Sequence, residues 1–316
     1  MEKINYLAGA NTSSGFVSKF DEINTQNKPS FKYILKGGPG TGKSTLLKKI
    51  ANHFEEKGLE VERYFCSSDT NSLDAVRIVS LNVCVVDGTA PHEQDASIPG
   101  VNSKIINLGE CISDKIYKHK HKIEKLLSQK KQCYSLSNAY LKSAGIIKNA
   151  NYNIDCDIVC EKKLILCNLS NEKNSPKGSL RSAFFEFFNE FGLQSLEEEN
   201  NFNQIYYVQS SANFSELKQE LLNNCFDIVE IFDVISLKPK AIVICGDNIL
   251  IKLKEKKQKT SDKLLLNLLY RRAGEQIVKA KSFHKKVEAF YFKCLDFDKL
   301  NKIANNLLIE IENKKL

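Results

Sequence analysis

Ten residues near the start of the chain, Lys36-Gly-Gly-Pro-Gly-Thr-Gly-Lys-Ser-Thr45, combine four glycines, two lysines and three hydroxyls at a spacing suited to holding a phosphate. They fit G-x-x-x-x-G-K-[ST], with Gly37, Gly42, Lys43 and Ser44 on the fixed positions. Gly37, Gly38, Gly40 and Gly42 allow the backbone to curl so that successive N–H groups face an anion, while Pro39 and Thr41 complete the turn. Lys43 is expected to reach the β- and γ-phosphates of ATP, Ser44 to place its hydroxyl on Mg2+, and Thr45 to serve the α-phosphate. Downstream, the apolar run in "LNVCVVDGTAPH" (81–92) stops at Asp87, the candidate for a second magnesium contact. Gly88 follows, where many motor-type ATPases carry the glutamate that orients water. The hydrolytic base is therefore open: His92, Glu93 and Asp95 could each orient a water, with His92 the catalytic candidate and Glu93 and Asp95 reading first as solvated loop side chains.

A phosphate loop works only between a buried strand and a helix N-terminus, whose partial positive charge favours an anion. "FKYILKG" (31–37) reads as that strand. "KSTLLKKIANHFEEKG" (43–58) reads as the helix, with Leu46, Leu47, Ile50 and Phe54 on one face and Gly58 as its stop. "LEVERYFCSSD" (59–69) reads as a further strand, and "SSDTNSLDAVRI" as the start of a capped helix in which Asp69 is either the cap or a phosphotransferase base. Residues 114–145 and 262–315 carry helical patterns. The polar stretch 167–178 is the expected domain boundary, and 196–203 the expected mobile loop.

The chain as a whole sets the limits. Its 316 residues, 42% of them hydrophobic, suffice for two lobes. No leader pattern and no run of about 18 apolar residues is present, which predicts a cytoplasmic protein with no membrane partner. The ten cysteines lie singly or in strand-like runs and read as reduced core residues; Cys156, Cys160 and Cys167 lack the spacing of a zinc site. The net charge of +8 comes mainly from lysine runs such as 115–125 and 252–259, a solvated surface rather than a nucleic-acid face. No guanine-reading motif is visible, so ATP is preferred to GTP.

Taken together, "LAGANTSSGF" (7–16), "YILKGGPGTGKSTLLKKI" (33–50), "CSSDTNSLD" (66–74), "VVDGTAPH" (85–92) and "IINLGE" (105–110) resemble an uncharacterised bacterial P-loop ATPase family with two tandem nucleotide-binding-type halves. The resemblance implies ATP binding, presumed hydrolysis, a cytosolic setting and no established substrate. The second half departs from it, having no second G-x-x-x-x-G-K-[ST]. Aligning 13–23 with 176–188, 33–50 with 206–222 and 79–88 with 235–247 suggests a copy that keeps its hydrophobics but has lost its glycines and lysine. The expected fold is α/β: two three-layer α/β/α P-loop NTPase lobes, an intact one over 1–168 and a degenerate one over 175–316, each closed by helices. The leading functional expectation is an Mg-ATPase that switches its two halves or an unknown protein or small-molecule partner, possible as an oligomer. An arginine from the second half would complete the site, with Arg181, Arg271 and Arg272 as candidates. A small-molecule or nucleotide kinase, and a nucleotide-dependent scaffold with little turnover, are the alternatives.

Overall fold

The computed structural model of the chain describes residues 4–24, 30–150, 165, 166, 169, 178–197, 199–208, 211–254 and 260–314. The expected boundary at 167–178 falls almost wholly outside these residues, as do Cys156, Cys160 and Cys167. No disulfide forms among the described residues.

The fold is mixed α/β, with parallel and antiparallel pairings in both main sheets. In the first half, β1 (Asn5–Tyr6) leads into a hairpin of β2 (Gly9–Thr12) and β3 (Gly15–Ser18), turned at Gly15 with φ +94°. Then come β4 (Phe31–Lys36), α1 (Lys43–Glu56), β5 (Val61–Cys66), β6 (Asp69–Ile78), β7 (Val83–Asp87), β8 (Ser103–Asn107) and the long α2 (Lys120–Ala150). The strands assemble in the order β1-β5-β6-β7-β4-β8, with β6 antiparallel to its neighbours and every other pairing parallel.

The second half repeats this plan. β9 (Leu180–Ala183) leads into a hairpin of β10 (Glu186–Asn189) and β11 (Gly192–Ser195), again turned at a glycine, Gly192, with φ +102°. β12 (Gln204–Val208), α3 (Ser211–Asn223), β13 (Ile228–Phe232), β14 (Pro239–Ile244), β15 (Ile249–Leu253) and the long α4 (Thr260–Phe292) follow. Their sheet order, β12-β15-β14-β13-β9, read from the far end is the first order without its β8 edge, with β9 in the place of β1 and β14 as the reversed strand. Leu7 and Phe184, each one residue past its first strand, exchange backbone hydrogen bonds of 2.9 Å in both directions. That reciprocal pair joins the two copies of the plan at equivalent positions.

Two expectations change. The strand-level alignment of 79–88 with 235–247 is shifted by one strand, because β14 matches β6 and β15 matches β7. The halves are also not separate three-layer lobes: each sheet carries helices on one face and packs its other face against the other sheet. The cause is the period-two pattern of the strands. In β7, Val83 and Val85 face α1, while Cys84 and Val86 face the second sheet; in β14, Ile242 and Ile244 face α3, while Ala241 and Val243 face the first sheet. Both faces of these strands are apolar, so both need cover.

A buried charge cluster crosses the sheet–sheet interface. Arg181 on β9 donates to both carboxylate oxygens of Glu62 on β5, at 2.6 and 2.7 Å, and to the Tyr64 hydroxyl at 2.9 Å. Burial alone would raise the Glu62 carboxyl, but Arg181 and then Arg77 hold it down to about 2. The last helix, α5 (Phe297–Glu312), lies against α1 in the first half's core through Ala304, Leu307, Leu308 and Ile311. It therefore covers the first half, where the closing helices were expected on the second. The stretch 196–203 contains a 3-10 turn and the buried Phe202, which packs between the sheets.

Candidate functional site

β4 ends at Lys36 and α1 begins at Lys43, so the glycine loop spans the expected strand–helix junction. Gly40 and Gly42 have φ of +73° and +86°, a left-handed backbone that side chains rarely adopt. The glycines are needed for a second reason, which is packing. A Cβ at Gly40 would lie 2.7 Å from the Glu288 carbonyl oxygen on α4, one at Gly38 would lie 2.9 Å from the Tyr291 ring, and one at Gly42 would lie 2.8 Å from Leu300 on α5. The corner between α4 and α5 thus rests directly on the loop.

The Lys43 ammonium lies within the loop, donating to the carbonyls of Gly37 at 2.6 Å and Gly38 at 2.9 Å, and is 3.7 Å from the Asp87 carboxylate. Thr41 donates to the Gly38 carbonyl at 2.8 Å, which closes the turn around Pro39. Ser44 accepts from the Leu73 N–H at 2.9 Å, pinning the first turn of α1 to β6, and Thr45 is exposed on that same turn. Asp87, at the end of β7, pairs in register with Leu35 of β4 and accepts from the Thr89 N–H at 2.9 Å; Thr89 in turn donates to the Gly37 carbonyl at 3.1 Å. The strand end and the glycine loop are therefore tied together.

His92 folds back beneath Asp87. Its Nδ1 meets the Asp87 carbonyl at 2.8 Å, its ring stacks on Phe20 at 4.6 Å, and its Nε2 stands 3.7 Å from Asp74. Glu93 and Asp95 are exposed on the loop beyond.

Sequence reasoning missed Asp74. Residues 69–78 form a strand, β6, rather than a capped helix, because a two-residue turn at Ser67 and Ser68 sends the chain straight back antiparallel to β5. The signal was present in "LDAVRIV", whose β-branched residues suit a strand between two others. Asp74 is only 7% exposed, and together with Asp87 and His92 it offers ligand atoms that all lie within 4.8 Å of one another. Burial, and the nearby Asp87 carboxylate, outweigh His92 and push the Asp74 carboxyl up to about 6. Burial, reinforced by Asp74, also pushes up the neighbouring Cys66 thiol, so that residue is held neutral.

Asp69 is held by Lys281 of α4 at 2.7 Å, and its expected cap role has no helix to serve. The second half brings no arginine to the loop. Arg181 is buried in the sheet interface, and Arg272 pairs with Glu275 on the exposed side of α4, with Arg271 beside it nearly five turns of helix before Glu288. Basic side chains set near the loop include Lys281 and His284 of α4 and Lys130 of α2, whose Nζ is 2.9 Å from His284 Nδ1. Burial, partly offset by the nearby Cys66, lowers Lys130, and the positive charge of Lys43 adds to that lowering.

Residues 16–85 match the model of a family described as Nephrocystin 3, N-terminal. The match covers about a fifth of the chain, from β3 into β7, and includes the glycine loop and α1. No curated protein and no solved structure matches significantly. Among the described residues no helix is long and apolar enough to cross a membrane.

Proposed function

We propose that the first half is a P-loop NTPase unit that binds Mg-ATP and hydrolyses it to ADP and phosphate, and that the second half is a degenerate copy of the same fold. The observation that carries this reading is the junction of three features at the carboxyl ends of β4 and β7: a left-handed glycine turn, a lysine ammonium inside it, and a carboxylate 3.7 Å from that ammonium.

The residues fit the triphosphate. Gly37 has room for no side chain, since a Cβ there would lie 2.5 Å from the Thr41 hydroxyl, so the backbone of 37–42 is left to face an anion. Lys43 would exchange its loop carbonyls for phosphate oxygens, and Thr45 lies on the turn that presents the helix N-terminus. Mg2+, held by Ser44 and Asp87, would neutralise charge developing on the phosphates. His92, stacked on Phe20 and bonded to the Asp87 carbonyl, positions the end of β7 from behind. The α4–α5 corner on the loop gives a physical route from the nucleotide to the second half, because α4 also packs on β10 and β11 through Gly274, whose absent Cβ leaves space for the Asn189 carbonyl.

Phosphate release from Mg-ATP by the purified protein tests this reading, with Lys43→Ala as the blank. Steady turnover that disappears in the variant supports it. Release that persists in Lys43→Ala places the chemistry elsewhere, and the absence of any nucleotide binding by the wild type removes the reading altogether. Phosphoryl transfer to a small molecule has less support now that Asp69 is engaged by Lys281.

A further inference from the structure

Resting on that reading, the site still requires a group to orient the attacking nucleophile. Glu93 and Asp95 point to solvent, Asp69 is engaged by Lys281, and His92 uses Nδ1 on the Asp87 carbonyl. Asp74 is differently placed. The register Ala75 opposite Val86 sets Asp74 across from Asp87 on the neighbouring strand, and the Leu73 N–H beside it is fixed to Ser44 at 2.9 Å. In the sheet order β6-β7-β4, the glycine loop leaves β4, Asp87 stands one strand away and Asp74 two strands away, each step about 4.8 Å. Glycine loop, magnesium-type carboxylate and second carboxylate thus stand on three successive strands, with ligand atoms of Asp74 and Asp87 within 4.8 Å of each other. His92 Nε2 stands 3.7 Å from Asp74 with its ring stacked on Phe20, and the Cys66 thiol hydrogen-bonds the same carboxylate, which still has lone pairs left for a water.

We propose that Asp74 accepts the hydrogen bond that orients the nucleophilic water and takes its proton. The water oxygen forms a bond to the terminal phosphorus as the bond from that phosphorus to its bridging oxygen breaks, the bonding pair leaving on ADP. The proton passes to the Asp74 carboxylate and then to solvent, so the products are ADP, inorganic phosphate and one proton. His92 is a positioning residue in this scheme.

The test compares wild type with Asp74→Asn, which keeps the shape of the side chain, in two kinds of measurement. The first is affinity for Mg-ADP alone and for Mg-ADP with aluminium fluoride, a complex that mimics the transferring phosphoryl group with its in-line water. The second is single-turnover hydrolysis. The expected result is Mg-ADP affinity within about threefold of wild type, loss of the extra tightening that aluminium fluoride gives, and a rate lower by about 10²–10⁴-fold. Asp74→Glu should restore part of both the tightening and the rate, and Asp74→Ala should restore neither. The assignment is overturned if Asp74→Asn keeps the tightening and the rate. It is equally overturned if the variant loses Mg-ADP binding itself, which would make Asp74 a cation ligand. A wild type that binds no nucleotide would instead overturn the NTPase reading, an outcome read without any variant.

Discussion

The connection from β4 to α1 is six residues long, four of them glycine, whereas in the second half β12 ends at Val208 and α3 already begins at Ser211, with no glycine in the sequence between them. The carboxylate differs as well. Leu35 of β4 pairs with Asp87, while Val208 of β12 pairs with Leu253, a buried residue of the second half's helix-facing core. The two halves share the order of five strands, and both sequences retain the strands with two apolar faces that such a covered sheet needs. The cradle depends on loop length, on glycines at positive φ and on a charge at one register position, and the second half lacks all of these. A fold is thus maintained by many interchangeable residues, and a site by a few that are not.

The largest expected effect tests what the two halves share. Arg181→Ala leaves Glu62 buried without its main partner and should cost about 3–5 kcal/mol of unfolding free energy, measured by urea denaturation. Acid should act on the same pair. Because Glu62 is held down to about 2 in the folded chain, its contribution is full above the ordinary glutamate range and is lost as pH falls through about 4.5 toward 2. The Arg181→Ala deficit should therefore shrink at low pH.

Next in size is the change that separates the halves. Lys43→Ala should weaken triphosphate binding by at least about 100-fold, or about 2.7 kcal/mol, with little change in melting temperature, as read by titration calorimetry and thermal denaturation. Gly40→Ala should weaken binding too, but it should also destabilise by about 1–3 kcal/mol, because its backbone is left-handed and its Cβ would meet the Glu288 carbonyl.

Asp74→Asn has the opposite sign. With the Asp74 carboxyl raised to about 6, its ionisation opposes folding, so wild-type stability should fall as pH rises from about 4 through 6. The asparagine variant escapes that loss and should be more stable at pH 7 by on the order of 2 kcal/mol, and nearly equal to wild type at pH 4. Thermal melts at the two pH values check this. The smallest effect on binding belongs to Leu253→Asp: a carboxylate restored at the matching register of the second half should confer no nucleotide binding on a Lys43→Ala background, since the loop remains too short.

Much of the first half was legible in the sequence. The strand, loop and helix from 31 to 58, the end of β7 at Asp87 and the long helices all follow from periodicity and glycine spacing. β6 was not, because it opens on a cap-like run of Asp, Thr, Asn and Ser and the turn at Ser67–Ser68 before it is only two residues long; Asp74 was missed along with it. The face-to-face sheets escaped notice for a related reason. An apolar strand shows that both of its faces are covered, but not whether the cover is a helix or a sheet. The return of α5 to the first half, and the seating of α4 on the glycine loop, are long-range contacts that no local pattern encodes.

The central claim is that one half binds a triphosphate and the other does not, and titration calorimetry with a non-hydrolysable Mg-ATP analogue tests it most directly. The account predicts a single site per chain, abolished by Lys43→Ala. Two sites per chain, or a site that survives Lys43→Ala, would contradict it.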